Sequence, residues 1–232
     1  MNPAQPNKTA RASDDVLTEE SARYALLRRI APALRHHLAG TMQPIGMVSA
    51  IMERRLQAAQ PDLVVLRDNS KSISTLSRSA ASASMDLITW IAPKENGVIS
   101  LQAGVEECVG MLSTDLAFRG FTVVNNITSA AMSTPVFGLR SVFTAALIAL
   151  TDAALAPASI VISSVPADDH TRVLITVSSE PGATPPEDPR AYRKLDWADV
   201  DALAAAEQVG LVHEAGRAEM RFAAVQDADV TV

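Results

Sequence analysis

The chain has 232 residues, 48% of them hydrophobic, and a formal net charge of −6 at neutral pH. This length can bury one sizeable core or two small ones, and the acidic balance argues against general nucleic-acid binding. The single cysteine, Cys108, excludes an internal disulfide. We find no apolar run of about 18 residues to span a bilayer and no export signal, so we expect a cytoplasmic protein without membrane contact.

The N-terminal part of the chain predicts a tail followed by a long helix. Residues 1–17 are polar and charged, which is typical of a disordered tail. Thr18, followed by two glutamates, is a typical helix start. From there to about Gln60 apolar residues recur every three or four positions, which indicates an amphipathic helix with Pro32 as a kink or a break into two helices. The apolar stripe consists of Leu27, Ile30, Leu34, Leu38, Met42, Ile45, Val48 and Met52.

A second helix follows the turn at Pro61-Asp62 and closes at Pro93. Residues 18–93 therefore form an antiparallel helical hairpin. A hairpin cannot bury its apolar stripe alone, whereas two hairpins can do so as a four-helix bundle, which predicts a homodimer. The monomeric alternative is a hairpin that packs against its own C-terminal domain.

The pattern changes after the linker Lys94–Gly97. Strands and helices alternate over residues 98–232, and helices on one face of a sheet make an α/β sandwich, so the predicted fold class is α+β. The predicted strands cover 98–101, 121–127, 160–165, 172–178 and a hairpin at 210–225, the helices cover 102–118, 139–155 and 196–208, and a Pro-rich loop covers 180–190.

Two adjacent histidines lie in the first long helix. At about 100° per residue, His36 points away from the apolar stripe and should be exposed, while His37 flanks the stripe and should be partly buried. An exposed imidazole is a usable nucleophile towards phosphorus, because much of it is unprotonated at neutral pH. Pro44 disturbs the helix just beyond His36, and Gly40 offers no side chain to obstruct an approaching partner.

These residues resemble the phosphoacceptor helix of bacterial sensor histidine kinases. In that register the phosphorylated histidine falls on His36, and the family's later apolar and polar positions fall on Leu38, Met42, Gln43 and Ile45. The resemblance implies that His36 is the catalytic residue. Residues around it would bind the partner protein: Arg35, His37, Gly40, Thr41, Gln43, Pro44 and Met47.

Two positions of this helix depart from the family. The acidic neighbour that acts as general base in autophosphorylation is His37, and the Thr or Asn that positions water for dephosphorylation is Gly40. A cluster of arginines on the same helix, namely Arg28, Arg29, Arg35, Arg54 and Arg55, either receives an acidic partner or is a solvated helix face.

Residues 98–225 resemble the ATP-binding domain of the same family in the order of their elements. The positions of the family's metal- and nucleotide-binding asparagines are Ala145 and Ala149, and the adenine-reading aspartate falls on Ser179. The glycine loop that cradles phosphates corresponds to residues 196–200, which contain no glycine. We therefore expect no cofactor and no ATP-dependent autokinase activity.

These observations predict a phosphorelay histidine phosphotransferase. It would accept a phosphoryl group on His36 from the phospho-aspartate of a response-regulator receiver domain and pass it to another receiver. Magnesium would be supplied by the receiver. The alternative is a pseudokinase-type adaptor that docks without being phosphorylated, and a third reading is an active kinase with cryptic nucleotide binding. Adjacent histidines do not share a helix face, so no metal site is expected, and Cys108 is predicted to be buried.

Overall fold

The computed structural model describes residues 8–91, 97–127, 132–167, 170–186 and 193–223. Its contacts divide the chain into two compact units, which we call the α/β unit (Met1–Ile30 with Lys94–Val232) and the hairpin unit (Ala31–Pro93). The predicted boundaries divided the chain differently, at 18–93 and 98–232. The difference arises because residues 18–30 pack within the α/β unit.

The first helix, α1, is longer than predicted. It covers Lys8–Leu56, so residues 8–17 are helical and the prediction of a disordered tail is wrong for them. The segment after Pro6 contains lysine, alanine and arginine, which are good helix formers, and no further proline. Nothing in this sequence therefore stops the helix from beginning ahead of Thr18.

Both prolines of α1 lie inside one continuous helix. The predicted break into two helices at Pro32 is wrong. A proline removes a single backbone hydrogen bond, and the flanking turns keep theirs, so a long helix can continue through it.

The second helix, α2, covers Leu63–Ile91. Asp62 caps its first turn, because its Oδ1 accepts hydrogen bonds from the backbone N–H groups of Val64 at 2.9 Å and Val65 at 3.2 Å. Near the turn of the hairpin, Arg55 of α1 donates to Asn69 Oδ1 of α2 at 3.2 Å. The helical hairpin is thus present as predicted.

The α/β unit contains a mixed five-stranded sheet with the order β2-β4-β5-β7-β6. Strands β2 and β4 are parallel and the other pairs are antiparallel. Strands β1 and β3 form a separate antiparallel pair. The strands are β1 (Val98–Ser100), β2 (Phe121–Asn125), β3 (Ser133–Pro135), β4 (Ala156–Pro166), β5 (His170–Thr184), β6 (Gly210–Glu214) and β7 (Arg217–Ala223).

Helices cover one face of this sheet. Helix α3 (Leu101–Phe118) contacts β2, α5 (Thr144–Ala153) contacts β5 and β7, and α6 (Trp197–Ala206) contacts β6. Alternate strand residues face these helices and are buried, among them Ile160, Ile162, Val173, Ile175, Met220 and Phe222. The predicted α+β class, with long helices followed by a sheet and helices, is confirmed.

A strongly apolar segment runs through the centre of the α/β unit. It consists of a short helix α4 (Val136–Gly138), a π-helical turn (Leu139–Phe143) and α5. Its window Val136–Ala153 has 18 residues with mean hydropathy 1.5, which differs from the expectation that the sequence holds no such run. Of this window 72% is buried inside the protein, as in the core helix of a folded domain.

Two further features of the sheet differ from the prediction. Strand β3 was not predicted, and β5 continues to Thr184 through part of the predicted loop at 180–190. Pro181 and Gly182, the latter with φ 83°, lie next to the register shift between Ala156 and Ala158 of β4. Such irregularities accommodate proline and glycine in a strand. Parts of four predicted segments lie outside the described residues: 94–96 of the linker, 168–169 of the turn between β4 and β5, 187–190 of the Pro-rich loop and 224–225 of the final hairpin.

Candidate functional site

His36 and His37 are both exposed on α1 in the hairpin unit. His36 has the predicted exposure, whereas the prediction that His37 is partly buried is wrong. Of the stripe that His37 flanks, Met42 is 51% exposed while Leu38 and Ile45 are half-buried, so the stripe does not cover this imidazole. Within the described part of the chain, no hydrogen bond occupies either imidazole.

The structure places four of the predicted site residues on one helix face. At about 100° per residue, Gly40, Gln43 and Met47 lie within about 40° of His36. Gln43 and Met47 are exposed, and a Cβ placed on Gly40 would meet no atom within 4 Å. The space beside His36 is therefore open for one full turn towards the C-terminus.

The other predicted site residues lie to the sides of this face. By the same geometry Arg35 and His37 point about 100° away from His36 in opposite directions, Pro44 about 80° and Thr41 about 140°. The Thr41 hydroxyl donates to the carbonyl of Leu38 at 2.9 Å, so it is already occupied by its own helix. Arg35 is exposed and keeps a positive charge next to the reacting position.

The exposed face carries no acidic group. Residues 31–52 of α1 contain neither aspartate nor glutamate. Oxygen ligands from carboxylates are what magnesium needs, so this face does not fit a magnesium ion of its own. Over the whole described part of the chain, no group of three His, Cys, Asp or Glu residues is placed to hold a metal.

The hairpin unit leaves much apolar surface uncovered. The exposed large apolar residues are Met42, Met47, Ile51 and Leu56 on α1 and Leu63, Val64, Met85 and Ile88 on α2. A groove of about 510 Å³ between the two helices is lined by Val48, Lys71, Ser72, Thr75 and Leu76. The exposed apolar residues of α1 do not share one face of the helix: at about 100° per residue Met47 and Ile51 lie within about 40° of each other, whereas Met42 lies at least about 140° from both.

The positions that correspond to the family's metal and adenine ligands carry alanine and serine. Ala145 and Ala149 are buried in α5 and have no heteroatom in their side chains. Ser179 is exposed, and its hydroxyl donates to the carbonyl of Leu155 at 2.8 Å.

The segment 196–200, which corresponds to the family's phosphate-binding loop, forms the N-cap and first turn of helix α6. The Asp196 carboxylate accepts a hydrogen bond from the backbone N–H of Asp199, and the Asp199 carboxylate accepts one from the backbone N–H of Asp196, which together form a capping box. Arg193 donates to both carboxylate oxygens of Asp199 at 2.6 and 2.7 Å. Burial alone would raise the pKa of Asp199, but the hydrogen bonds from Arg193 and the Asp196 backbone outweigh it, so this pKa is lowered. The carboxylates of Asp196 and Asp199 therefore occupy backbone N–H groups that a bound phosphate would need.

Sequence reasoning missed a buried ion cluster in the α/β unit. Arg29 of α1 was counted with the exposed arginines, but it is 4% exposed and donates to both oxygens of Asp152. Arg119 also donates to Asp152 Oδ1, at 3.0 Å. The available signal was the helical spacing of Arg29 with the apolar residues Ala22 and Leu26, seven and three positions before it, both of which are buried. The remaining arginines of that cluster, Arg28, Arg35, Arg54 and Arg55, are exposed.

Cys108 is buried, as predicted. Its pKa is raised to about 12, chiefly by burial and also by the nearby charge of Glu107, against a lowering hydrogen bond with Thr144. A thiol in this environment is not a nucleophile.

No family model and no curated protein matches the chain. Solved structures of histidine kinases are similar to it. The histidine kinase AdeS of Acinetobacter baumannii is 17% identical, with 78% of this chain and 95% of that chain covered and a TM-score of 0.42. A histidine kinase from Burkholderia phymatum STM815 is 15% identical, with 84% and 97% covered and a TM-score of 0.42.

A third similar structure is the histidine kinase ThkA in complex with the response regulator protein TrrA. It is 12% identical, with 98% of this chain and 70% of that chain covered and a TM-score of 0.39. All three TM-scores lie below 0.5.

Proposed function

We propose that this chain is a histidine phosphotransferase of two-component signalling, with His36 as the phosphoacceptor. The observation that carries the proposal is the exposed imidazole of His36 beside the empty space over Gly40. A phosphorelay histidine has to meet a bulky partner domain in line with the bond that breaks. His36, Gly40, Gln43 and Met47 together form a face on which a receiver domain could dock.

The transfer step needs little from this chain. An unprotonated ring nitrogen of His36 attacks the phosphorus of the receiver's phospho-aspartate, an N–P bond forms, and the aspartate leaves as a carboxylate when its O–P bond breaks. The reverse step passes the phosphoryl group to the aspartate of a second receiver. Arg35 favours the negatively charged group electrostatically. Because the His36 face has no carboxylate, magnesium would be contributed by the receiver.

The α/β unit, in this proposal, does not bind ATP. Support comes from Ala145 and Ala149, which offer no ligand atom, and from the capping box that fills the segment 196–200. Calorimetric titration with ATP and magnesium should give no saturable binding below about 100 μM, roughly 5.5 kcal/mol of affinity. Saturable binding in that range would favour an active kinase instead.

We further propose that the chain acts in the cytoplasm as a homodimer through the hairpin unit. The exposed Met42 in the stripe of α1 and the exposed Met85 and Ile88 of α2 support this, since a second hairpin would cover them as a four-helix bundle and leave Met47, on the His36 face, open to a receiver.

The alternative function is an adaptor that docks on receivers or kinases without being phosphorylated. It is favoured by the position next to His36, where His37 replaces an acidic base. The two functions differ in covalent chemistry.

A purified receiver carrying radioactive phosphate on its aspartate is mixed with the chain, and the label on the chain is then treated with acid and with base.

Phosphohistidine loses its phosphate in acid and keeps it in base, whereas an acyl phosphate is lost in base. The phosphotransferase should carry label that is acid-labile and base-stable. An adaptor would bind the receiver and never carry label, and that result across all receivers tested would refute the proposed function.

A further inference from the structure

The five-stranded sheet has an open face, opposite to the face that the helices cover. On β5 the residues Val173 and Ile175 are buried against the helices, while their neighbours Arg172, Leu174 and Thr176 point the other way. The strand registers arrange the open face in three rows across the strands. The rows are Val124-Val161-Thr176-Arg217-Glu214, Ser163-Leu174-Glu219-Val212 and Val165-Arg172-Arg221-Gly210.

One half of the open face carries three arginines around a single glutamate. The guanidinium nitrogens of Arg172, Arg217 and Arg221 lie 3.9, 3.7 and 3.5 Å from carboxylate oxygens of Glu219. Arg217 also lies 3.8 Å from Glu214. We call Arg172, Arg217 and Arg221 the arginine cluster. Three positive charges share two carboxylates, so the cluster has an excess of one positive charge in a chain whose net charge is −6.

Other arginines of the α/β unit are bound much more closely. Arg193 donates to Asp199 at 2.6 and 2.7 Å, and Arg140 donates to Glu107 at 2.8 and 3.0 Å. The arginine cluster makes only longer ion pairs, and its three side chains are 43 to 54% exposed. Exposed pairs of this length contribute about 0 to 1 kcal/mol each. The guanidinium donors of the cluster therefore remain available to another acceptor.

Folding stability does not explain the position of these arginines. Arg172 and Arg221 face each other directly across β5 and β7. Like charges directly opposite on neighbouring strands are unfavourable. Glu219 offsets part of this repulsion in the free protein, and carboxylates of a partner would offset the rest.

The other half of the open face is apolar. Val124 on β2 and Val161 and Val165 on β4 are 36 to 48% exposed, and we call these three residues the valine column. In the strand registers Leu174 lies between the valine column and the arginine cluster. The open face thus offers charged donors and an apolar strip side by side. That combination suits a protein segment that carries carboxylates next to an aliphatic side chain.

We propose that the open face of the sheet is a docking surface for an acidic segment of a partner protein. Its carboxylates accept hydrogen bonds from the arginine cluster, and its apolar side chains cover the valine column. A nucleic acid fits less well, because Glu219 and Glu214 would stand among its phosphates and the excess of one charge neutralises few of them. This inference does not depend on His36 or on phosphotransfer.

The test uses the full chain and a short fluorescein-labelled peptide of alternating glutamate and leucine pairs. Fluorescence anisotropy at low salt should show saturable binding. Replacing all three arginines of the cluster (Arg172→Ala, Arg217→Ala, Arg221→Ala) should weaken it at least about tenfold, which corresponds to about 1.4 kcal/mol. The variant should remain folded with an unfolding temperature close to that of the wild type, because the ion pairs lost contribute about 0 to 1 kcal/mol each and the like-charge pair is removed with them.

A matched variant removes the same charge elsewhere: Arg67→Ala, Lys71→Ala and Arg78→Ala on the exposed surface of α2. It should bind the peptide as the wild type does. Equal weakening in both variants would show general electrostatic attraction and overturn the proposal. So would equal binding of a peptide with glutamine in place of glutamate, tighter binding of an oligouridylate, or no binding of the acidic peptide at all.

Discussion

Arg29 donates two hydrogen bonds to Asp152 although the two residues are 123 positions apart in the chain. Both side chains are almost fully buried, at 2% and 4% exposure. The pair joins helix α1 to the end of α5 inside the α/β unit. The part of α1 up to Ile30 is therefore a structural part of the α/β unit.

Replacing Asp152 with alanine should strongly destabilise the protein. Arg29 and Arg119 would remain buried without their carboxylate, and breaking a buried pair in this way costs about 3 to 5 kcal/mol. Urea unfolding measures the difference. Asp201→Ala is the control, since Asp201 is 57% exposed at 3.5 Å from His213 and should cost less than about 1 kcal/mol. Equal losses for the two variants would contradict the importance of the buried cluster.

The Asp199–Arg193 pair should make stability depend on pH in the acid range. The pKa of Asp199 is lowered in the folded protein, so the unfolded chain binds the proton more tightly. The contribution is present above the unfolded value of 3.8 and is lost as the pH falls through the lower folded value. Urea unfolding between pH 6 and pH 2 should show a smaller loss for Asp199→Asn than for the wild type. An identical profile for both would refute this.

The thiol of Cys108 should not react in the folded protein. Burial and a pKa of about 12 leave almost no thiolate at pH 8. With Ellman's reagent at this pH, we expect no colour from the native chain and one equivalent of thiol after unfolding in guanidinium. Rapid reaction of the native protein would mean that α3 opens readily around this residue.

The proposed dimer predicts a specific effect of charge in the apolar stripe. Met42 is 51% exposed in the single chain, so Met42→Glu should scarcely affect the monomer but should separate a dimer that buries this position. Ala50→Glu, on the exposed helix surface away from the stripe, is the control and should remain dimeric. Light scattering at micromolar concentration reports the mass. A monomeric wild type would contradict the dimer.

Elements with strong local signals were predictable from the sequence. Helix α3 begins one residue before its predicted start, because the Ser100 side chain accepts a hydrogen bond from the backbone N–H of Ala103 and caps the helix. The hairpin predicted at 210–225 is formed by β6 and β7, which turn over Ala215 and Gly216, and glycine with φ 73° satisfies that turn. Periodicity and turn residues report such short-range structure directly.

Features that depend on distant residues were not predictable. Strand β3 has three residues and pairs with β1 only through tertiary structure. The burial of Arg29 depends on Asp152, which no local pattern reveals. The residues of the open face could be identified only from the strand order and registers. For the candidate site, the helical phase of His36 was accessible from periodicity, whereas the exposure of His37 depends on what covers the apolar stripe.

The most direct measurement of the central claim is phosphotransfer to His36. Phosphorylated receivers are mixed in parallel with the wild type, His36→Ala and His37→Ala, and label on the chain is followed over time, with circular dichroism as the check on folding. We predict that His36→Ala carries no label while remaining folded. His37→Ala should be labelled more slowly but still measurably. A labelled His36→Ala chain together with an unlabelled His37→Ala chain would contradict the assignment of His36.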